Sequence, residues 1–276
     1  MYIVQRNFFR LIRCGAFGQQ EQVEPMSVFK WGQLFQLAII HDVADDVYQG
    51  LLQCKGQFFL HMTDAQWNLW EKTINDIRLT PIHEDMEEDD LLRADHLTNP
   101  LLNRKLQAIL DDENSDTRTR QLLLTVIRTS RHILNEGVPI KELIRLGKEL
   151  RQEGNRADFA LLEKWIKSLK FQQAAYLEAT LLVELFGFEK EEIPFAITKD
   201  DSHVKQVAQE LIEFTHSKPK NYYFSQGNDN IFIHTNNGSA ILGHVRRSAR
   251  YFRYFPSETL TNFLASFAHS LSHIEE

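Results

Sequence analysis

Cysteine is almost absent from this sequence. Cys14 and Cys54 are the only two in 276 residues, and they form no C-x-x-C motif. This scarcity excludes a small fold held together by several disulfides and a zinc site built from paired cysteines. The two residues are therefore predicted to be buried free thiols in a reducing compartment.

Long apolar runs and an excess of basic residues are also missing. No stretch approaches 18 uninterrupted apolar residues, so no spanning helix is predicted. Arg6, Arg10 and Arg13 interrupt the apolar residues at the start, unlike a signal peptide, and we expect a cytoplasmic protein. The formal net charge of −7 argues against a dedicated nucleic-acid binder.

Motifs that carry familiar chemistry are lacking too. The sequence has no G-x-S-x-G, no G-x-G-x-x-G and no G-x-x-x-x-G-K-[ST]. His269, His273 and Glu276 have the spacing of zinc ligands on one helix face, but they lie at the end of the sequence, where supporting contacts are few. The acidic run at 84–90 is interpreted as a solvated connector. We expect neither a metal nor a cofactor.

Helical periodicity is what the sequence has in abundance. It predicts a first helix that stops at Gly15, and then one long helix or two joined near His41. The next helix is predicted to open at Thr63, with Gln66 completing a capping box. The remaining helices are predicted near 100–111, 116–135, 139–153, 157–170, 172–187, 201–216, 239–254 and 257–274. One β-hairpin is predicted within 221–235. The expected fold class is mainly α with a minor β component, divided into an N-terminal unit (1–79), an acidic connector (80–98) and a C-terminal unit (99–276).

The stretch RRSARYFRYFPSETL at 246–260 mixes arginines with aromatic residues. On a helical period the basic side chains form one stripe, and the aromatic ones divide between an inward face and its boundary. The stripe comprises Arg246, Arg250 and Arg253 with Arg247 beside it; Phe252 and Phe255 face inward, and Tyr251 and Tyr254 lie at the boundary. Three interpretations stay open: a docked helical hairpin, a basic surface for an acidic or phosphate-bearing partner, and a membrane-surface helix.

Several segments resemble a bacterial nucleotidyltransferase-like family, in which helices flank a polymerase-β-type core. They are NFFRLIRCGAFG, EPMSVFKWGQLFQLAIIHDV, ILNEGVPIKELIRLGKEL, LEKWIKSLKFQQAAYLEATLLVELFGFEKEEIPF and VRRSARYFRYFPSETL. The resemblance implies magnesium-dependent nucleotidyl transfer, which requires a Gly-Ser or Gly-Gly turn followed by a D-x-D pair of carboxylates. Gly238-Ser239 is the only Gly-Ser pair, and no aspartate follows Asp229. The chain therefore resembles a degenerate relative that lacks the catalytic core.

These observations predict a non-catalytic binding or scaffold protein, acting as a partner or regulator. Its ligand is expected to be a protein or an acidic, phosphate-bearing molecule, and nucleic acid is disfavoured. One alternative is an enzyme for nucleotidyl or phosphoryl chemistry whose site assembles from scattered residues such as Arg10, Arg13, His132 and Arg246. Another is a peripheral binder that uses the arginine stripe. The sequence does not indicate the oligomeric state.

Overall fold

The chain is mainly helical. The computed structural model describes residues 2–79, 92–113, 115–135, 140–153 and 156–196, together with Tyr254, Glu258 and Thr261. Within these residues lie nine α-helices: α1 (Ile3–Phe17), α2 (Val28–Ile40), α3 (Ala44–Gln53), α4 (Asp64–Leu79), α5 (Pro100–Leu110), α6 (Thr117–Asn135), α7 (Ile140–Glu153), α8 (Phe159–Ser168) and α9 (Gln172–Phe186). The predicted hairpin at 221–235 and the predicted helices at 201–216, 239–254 and 257–274 lie outside the described residues, apart from Tyr254, Glu258 and Thr261.

Local signals set most of these helix boundaries. The run from Ser27 divides into α2 and α3 because Asp42 adopts a left-handed backbone conformation, with φ of 52°. This conformation interrupts a helix, and aspartate tolerates it better than most residues do. Thr63 and Gln66 form the predicted capping box before α4, with each side chain bonded to the other residue's backbone N–H. Asn99 caps α5 ahead of Pro100, the first residue of that helix.

The structure divides into two units, each with its own core. The described part of unit 1 comprises residues 2–79 and Leu181–Phe188, and that of unit 2 comprises 92–180 and 189–196 with the three isolated residues near 258. The long helix α9 contributes its first part to unit 2 and its last residues to unit 1. The units are thus not consecutive stretches of sequence.

Unit 1 is built around the contact between α1 and α3. At this contact a Cβ atom added to Gly15 would lie 1.9 Å from the carbonyl oxygen of Asp46, and one added to Gly50 would lie 2.0 Å from the carbonyl oxygen of Leu11. The helices therefore touch backbone to backbone, which only glycine permits. The prediction that α1 stops at Gly15 is wrong. The helix continues to Phe17 and ends at Gly18, whose φ of 67° is left-handed.

The end of α9 completes the core of unit 1 with aromatic contacts. The ring of Phe186 lies 6.1 Å from that of Phe9 and 5.4 Å from that of Phe17. Phe188 contacts Phe17 edge-on, with 5.3 Å between centroids. The side-chain amide of Gln19 donates to the main-chain carbonyl of Phe186 at 2.9 Å. This bond satisfies a carbonyl that the helix end leaves without an internal partner.

Unit 2 is organised around α6, which packs against α7 and α8. The buried face of α6 includes the apolar residues Leu123, Val126 and Ile127, as its periodicity predicts. Tyr254, from the arginine-aromatic stretch, is 1% exposed. Its predicted position at a boundary is therefore wrong, because helical period alone does not say which neighbouring elements cover a residue. No helix in the described ranges is both long and apolar enough to cross a membrane.

Candidate anion-binding cleft

Three arginines meet around a cleft of about 360 Å³ in unit 2. One wall is formed by α6, where residues spaced three or four apart line the space. The second wall is the irregular segment before α5, and the third is α7. The lining comprises Arg93, Ala94 and Asp95, then Gln121, Leu124, Thr125 and Arg128, and finally Arg145.

The charged residues that line the cleft are three arginines and one aspartate. Arg93 and Asp95 form a two-point ion pair, with Nε to Oδ1 at 3.0 Å and Nη2 to Oδ2 at 2.9 Å. This pairing lowers the pKa of Asp95, against the opposing effect of partial burial. Arg145 reaches Glu149 with a longer Nε to Oε1 distance of 3.4 Å. The three guanidinium groups therefore share this region with the carboxylates of Asp95 and Glu149.

Glu149 lies at the deeper end of the same region. It borders a small hollow of about 30 Å³, which shares Gln121 with the cleft and is also lined by Arg118, Leu122 and Ala157. Burial raises the pKa of Glu149, although Thr125 and Arg145 favour its charged form. Within the described residues its Oε2 has no hydrogen-bond partner. The space suits one water molecule or the end of a bound polar group.

The segment that carries Arg93 and Asp95 is held by a buried carboxylate. Glu258, 3% exposed, accepts hydrogen bonds from the backbone N–H of Thr98 at 3.0 Å, from its hydroxyl at 2.9 Å, and from the backbone N–H of Asn99 at 3.0 Å. Its Oε2 lies 3.6 Å from Nη1 of the equally buried Arg131. The charge of Glu258 is thus balanced inside the unit, as a buried carboxylate requires.

Further bonds fix the same segment from α5. The Gln107 amide donates to the carbonyl of Asp95 at 2.7 Å, and the backbone N–H of Leu97 donates to Asn103 at 3.0 Å. Ala94 and Leu97 are buried, although this stretch was interpreted from sequence as part of a solvated connector. The wall that presents Arg93 is therefore preorganised, which reduces the ordering cost of binding.

The structure places the predicted residues Arg10 and Arg13 in a separate network on α1. Arg10 Nη1 lies 2.6 Å from Glu24, and its Nε lies 3.8 Å from Glu21. Arg13 pairs with Glu21 at 2.5 Å and donates to the carbonyl of Leu185 at 2.9 Å. Both arginines are engaged by carboxylates of unit 1. A ligand would have to compete with those carboxylates for them.

His132 lies half-buried in the last turn of α6, in unit 2. Arg246, Arg247, Arg250 and Arg253 lie outside the described residues. The arginines of the cleft were not anticipated from the sequence. The available signal was the polar stripe of Gln121, Thr125 and Arg128 on α6, but this stripe alone does not indicate which segments close over it.

The chain was compared with protein-family models, with curated proteins and with solved structures, and none of them matches it. The resemblance to a nucleotidyltransferase-like family therefore stays a prediction based on the segments quoted above.

Proposed function

We propose that this chain is a non-catalytic binding protein whose cleft holds a phosphate-bearing ligand. The observation that carries the proposal is the meeting of Arg93, Arg128 and Arg145 around one cavity of about 360 Å³. Guanidinium groups present several donors in a fixed plane and match the oxygens of phosphate. A cavity of this volume is at the small end of the range found for small-molecule sites.

The geometry favours an extended anion over a single phosphate ion. Arg93 stands on the fixed wall, Arg128 on α6 and Arg145 on α7, so the cations surround the space from three sides. Asp95 holds Arg93 in place through both of its oxygens, while the longer contact of Arg145 with Glu149 is the more readily exchanged. We infer that a diphosphate or phosphate ester displaces the contact between Arg145 and Glu149 more readily than the pair of Arg93 and Asp95.

Binding of inorganic phosphate and pyrophosphate, measured by titration calorimetry at low and at physiological salt, tests the proposal. Pyrophosphate is expected to bind more tightly than phosphate and to weaken as salt rises. Arg128→Gln and Arg145→Gln are each expected to weaken pyrophosphate binding about tenfold or more, since a hydrogen bond to a charged group contributes roughly 1.5–3 kcal/mol.

Arg104→Gln is the matched control. Arg104 is an exposed arginine of α5 that does not line the cleft, so its substitution removes the same charge elsewhere in unit 2. Affinity within about twofold of wild type is expected for it. An equal loss in Arg104→Gln and Arg128→Gln would show a general charge effect, and absence of binding by wild type would refute the proposal.

We also propose that the chain is an inactive nucleotidyltransferase-like relative that acts as a partner or regulator. The support is the set of quoted sequence segments together with the missing Gly-Ser and D-x-D arrangement. Magnesium-dependent incorporation of labelled nucleotide by the purified chain, undiminished after repeated chromatography, would refute the non-catalytic part of this proposal. The rival, an enzyme whose site assembles from residues such as Arg10, Arg13, His132 and Arg246, predicts such turnover and its loss on Arg13→Gln.

A further inference from the structure

The two cysteines of the chain lie against each other in unit 1. Cys14 is on α1 and Cys54 is the residue that ends α3, and their Sγ atoms are 3.7 Å apart. Each side chain is 1% exposed. The separation is that of a thiol–thiol hydrogen bond and exceeds the roughly 2.05 Å of a disulfide. The pair is thus a buried, reduced dithiol.

The backbone holds these sulfurs together. Gly15 follows Cys14, and Gly50 lies one helical turn before Cys54. At these two glycines α1 and α3 approach so closely that a Cβ on Gly15 would lie 2.5 Å from the nitrogen of Gly50. The backbone N–H of Cys54 bonds to the carbonyl of Gly50 at 3.0 Å. The proximity of the sulfurs therefore follows from the most closely packed part of unit 1.

The surroundings give the two thiols different roles. A hydrogen bond from Cys54 lowers the pKa of Cys14 to about 7, helped by the backbone of Glu21 and the charge of Arg13. Burial and the charge of Glu21 oppose this shift. The same hydrogen bond and burial raise the pKa of Cys54 far above its ordinary value. Cys14 is therefore the sulfur that ionises more readily, and Cys54 is the one that keeps its proton.

We infer that Cys14 and Cys54 are a redox site that a peroxide closes to an intramolecular disulfide. The Cys14 thiolate attacks one oxygen of hydrogen peroxide; the O–O bond breaks, the sulfur becomes a sulfenic acid, and the other oxygen leaves as water after gaining a proton. The Cys54 sulfur then attacks the sulfenic sulfur, and its own proton leaves with the displaced oxygen as a second water. Two thiols and one peroxide give one disulfide and two waters.

Two features favour this chemistry over metal binding or a larger oxidant. Among the residues that the structure describes, no group of three or more His, Cys, Asp or Glu side chains is placed to hold a metal ion. Hydrogen peroxide is close to water in size, so a small local opening of the helix pair lets it reach the sulfurs. A peptide disulfide is too large to enter through such an opening. The short remaining distance between the sulfurs then favours closure over further oxidation of Cys14.

Peroxide treatment of the folded chain followed by unfolding and alkylation tests this inference. Wild type is expected to lose both alkylatable thiols, to lose the mass of two hydrogen atoms, to remain a single chain on a non-reducing gel, and to recover both thiols with dithiothreitol. Cys54→Ser is expected to stop at a sulfenic acid on Cys14, which dimedone captures. Cys14→Ser is expected to keep an alkylatable Cys54.

The wild-type arm decides the question even if a serine variant does not fold. Two alkylatable thiols after a treatment that fully oxidises the urea-unfolded chain would overturn the inference. So would a sulfinic acid on Cys14 or a disulfide between two chains as the main product. A mapped 14–54 cross-link that dithiothreitol reverses would support it.

Discussion

Adding one methyl group to Gly15 is predicted to destabilise unit 1 strongly. The new Cβ of Gly15→Ala would lie 1.9 Å from the carbonyl oxygen of Asp46, whereas ordinary contact begins near 3.4 Å, so α1 and α3 must separate by about 1.5 Å. Overpacking of this kind costs typically 1–3 kcal/mol. Separation also weakens the dispersion contacts along the two helices. Alanine's better helix propensity returns about 1 kcal/mol, and from the upper end of the overpacking cost we expect a net loss of about 2 kcal/mol.

Urea unfolding followed by tryptophan fluorescence measures this change, because the buried Trp31 and Trp70 both belong to unit 1. Gly32→Ala is the matched control. It makes the same substitution in α2, where an added Cβ has no heavy atom within 4 Å, and it is expected to stabilise by up to about 1 kcal/mol. A free energy of unfolding for Gly15→Ala within about 0.5 kcal/mol of wild type would refute the close-packing argument.

Three further predictions concern charge and capping. Burial raises the pKa of Glu178 well above 4.5, although a hydrogen bond from Ser130 at 2.5 Å opposes the shift. The carboxyl group of the folded chain therefore keeps a proton that the unfolded chain loses. The free energy of unfolding then falls by up to about 1.4 kcal/mol per pH unit above pH ~4.5. Glu178→Gln should abolish this slope in urea titrations at several pH values. The hydrogen bond from Arg6, with Arg10 also contributing, lowers the pKa of Glu24 to about 2, so its stabilisation is complete above pH ~4.5 and is lost as pH falls towards 2. Glu24→Gln should cost about 1 kcal/mol at pH 7 and progressively less in acid. Asn99→Ala removes the cap that accepts from two backbone N–H groups of α5 and should lower the thermal midpoint, at a cost of about 1 kcal/mol.

Each of these has an outcome that contradicts it. Parallel pH profiles for wild type and Glu178→Gln would mean that the buried carboxyl is already ionised. A deficit for Glu24→Gln that stays constant down to pH 3 would exclude the ion pairs as its cause. An unchanged midpoint for Asn99→Ala would mean that Glu258, which also binds this turn, holds it without the cap.

The sequence by itself determined where most helices begin and end. The capping box at Thr63 and Gln66, and the proline that opens α5, act within a few residues of their own position. Hydrophobic periodicity acts over one helix at a time. Such signals are local, so α5 to α9 lie within a few residues of the predicted ranges.

Only the tertiary structure decided what individual residues do. Local sequence predicts that Gly15 ends a helix. In the fold it is the point where α1 contacts α3, and its partner there, Gly50, lies 35 residues further along the chain. Arg10 and Arg13 are predicted from sequence to bind a ligand, but in the fold they are paired with Glu21 and Glu24. Nothing in a local pattern specifies such distant partners.

The cleft has the same origin. Arg93, Arg128 and Arg145 belong to three separate segments, and none stands in a recognisable motif. Glu258 positions the wall that carries Arg93 from a point 165 residues further along the chain. Cys14 and Cys54 became a pair only when α1 and α3 packed. The sequence determined the helices because their signals are local, and packing decided the sites because each site joins side chains that are distant in sequence.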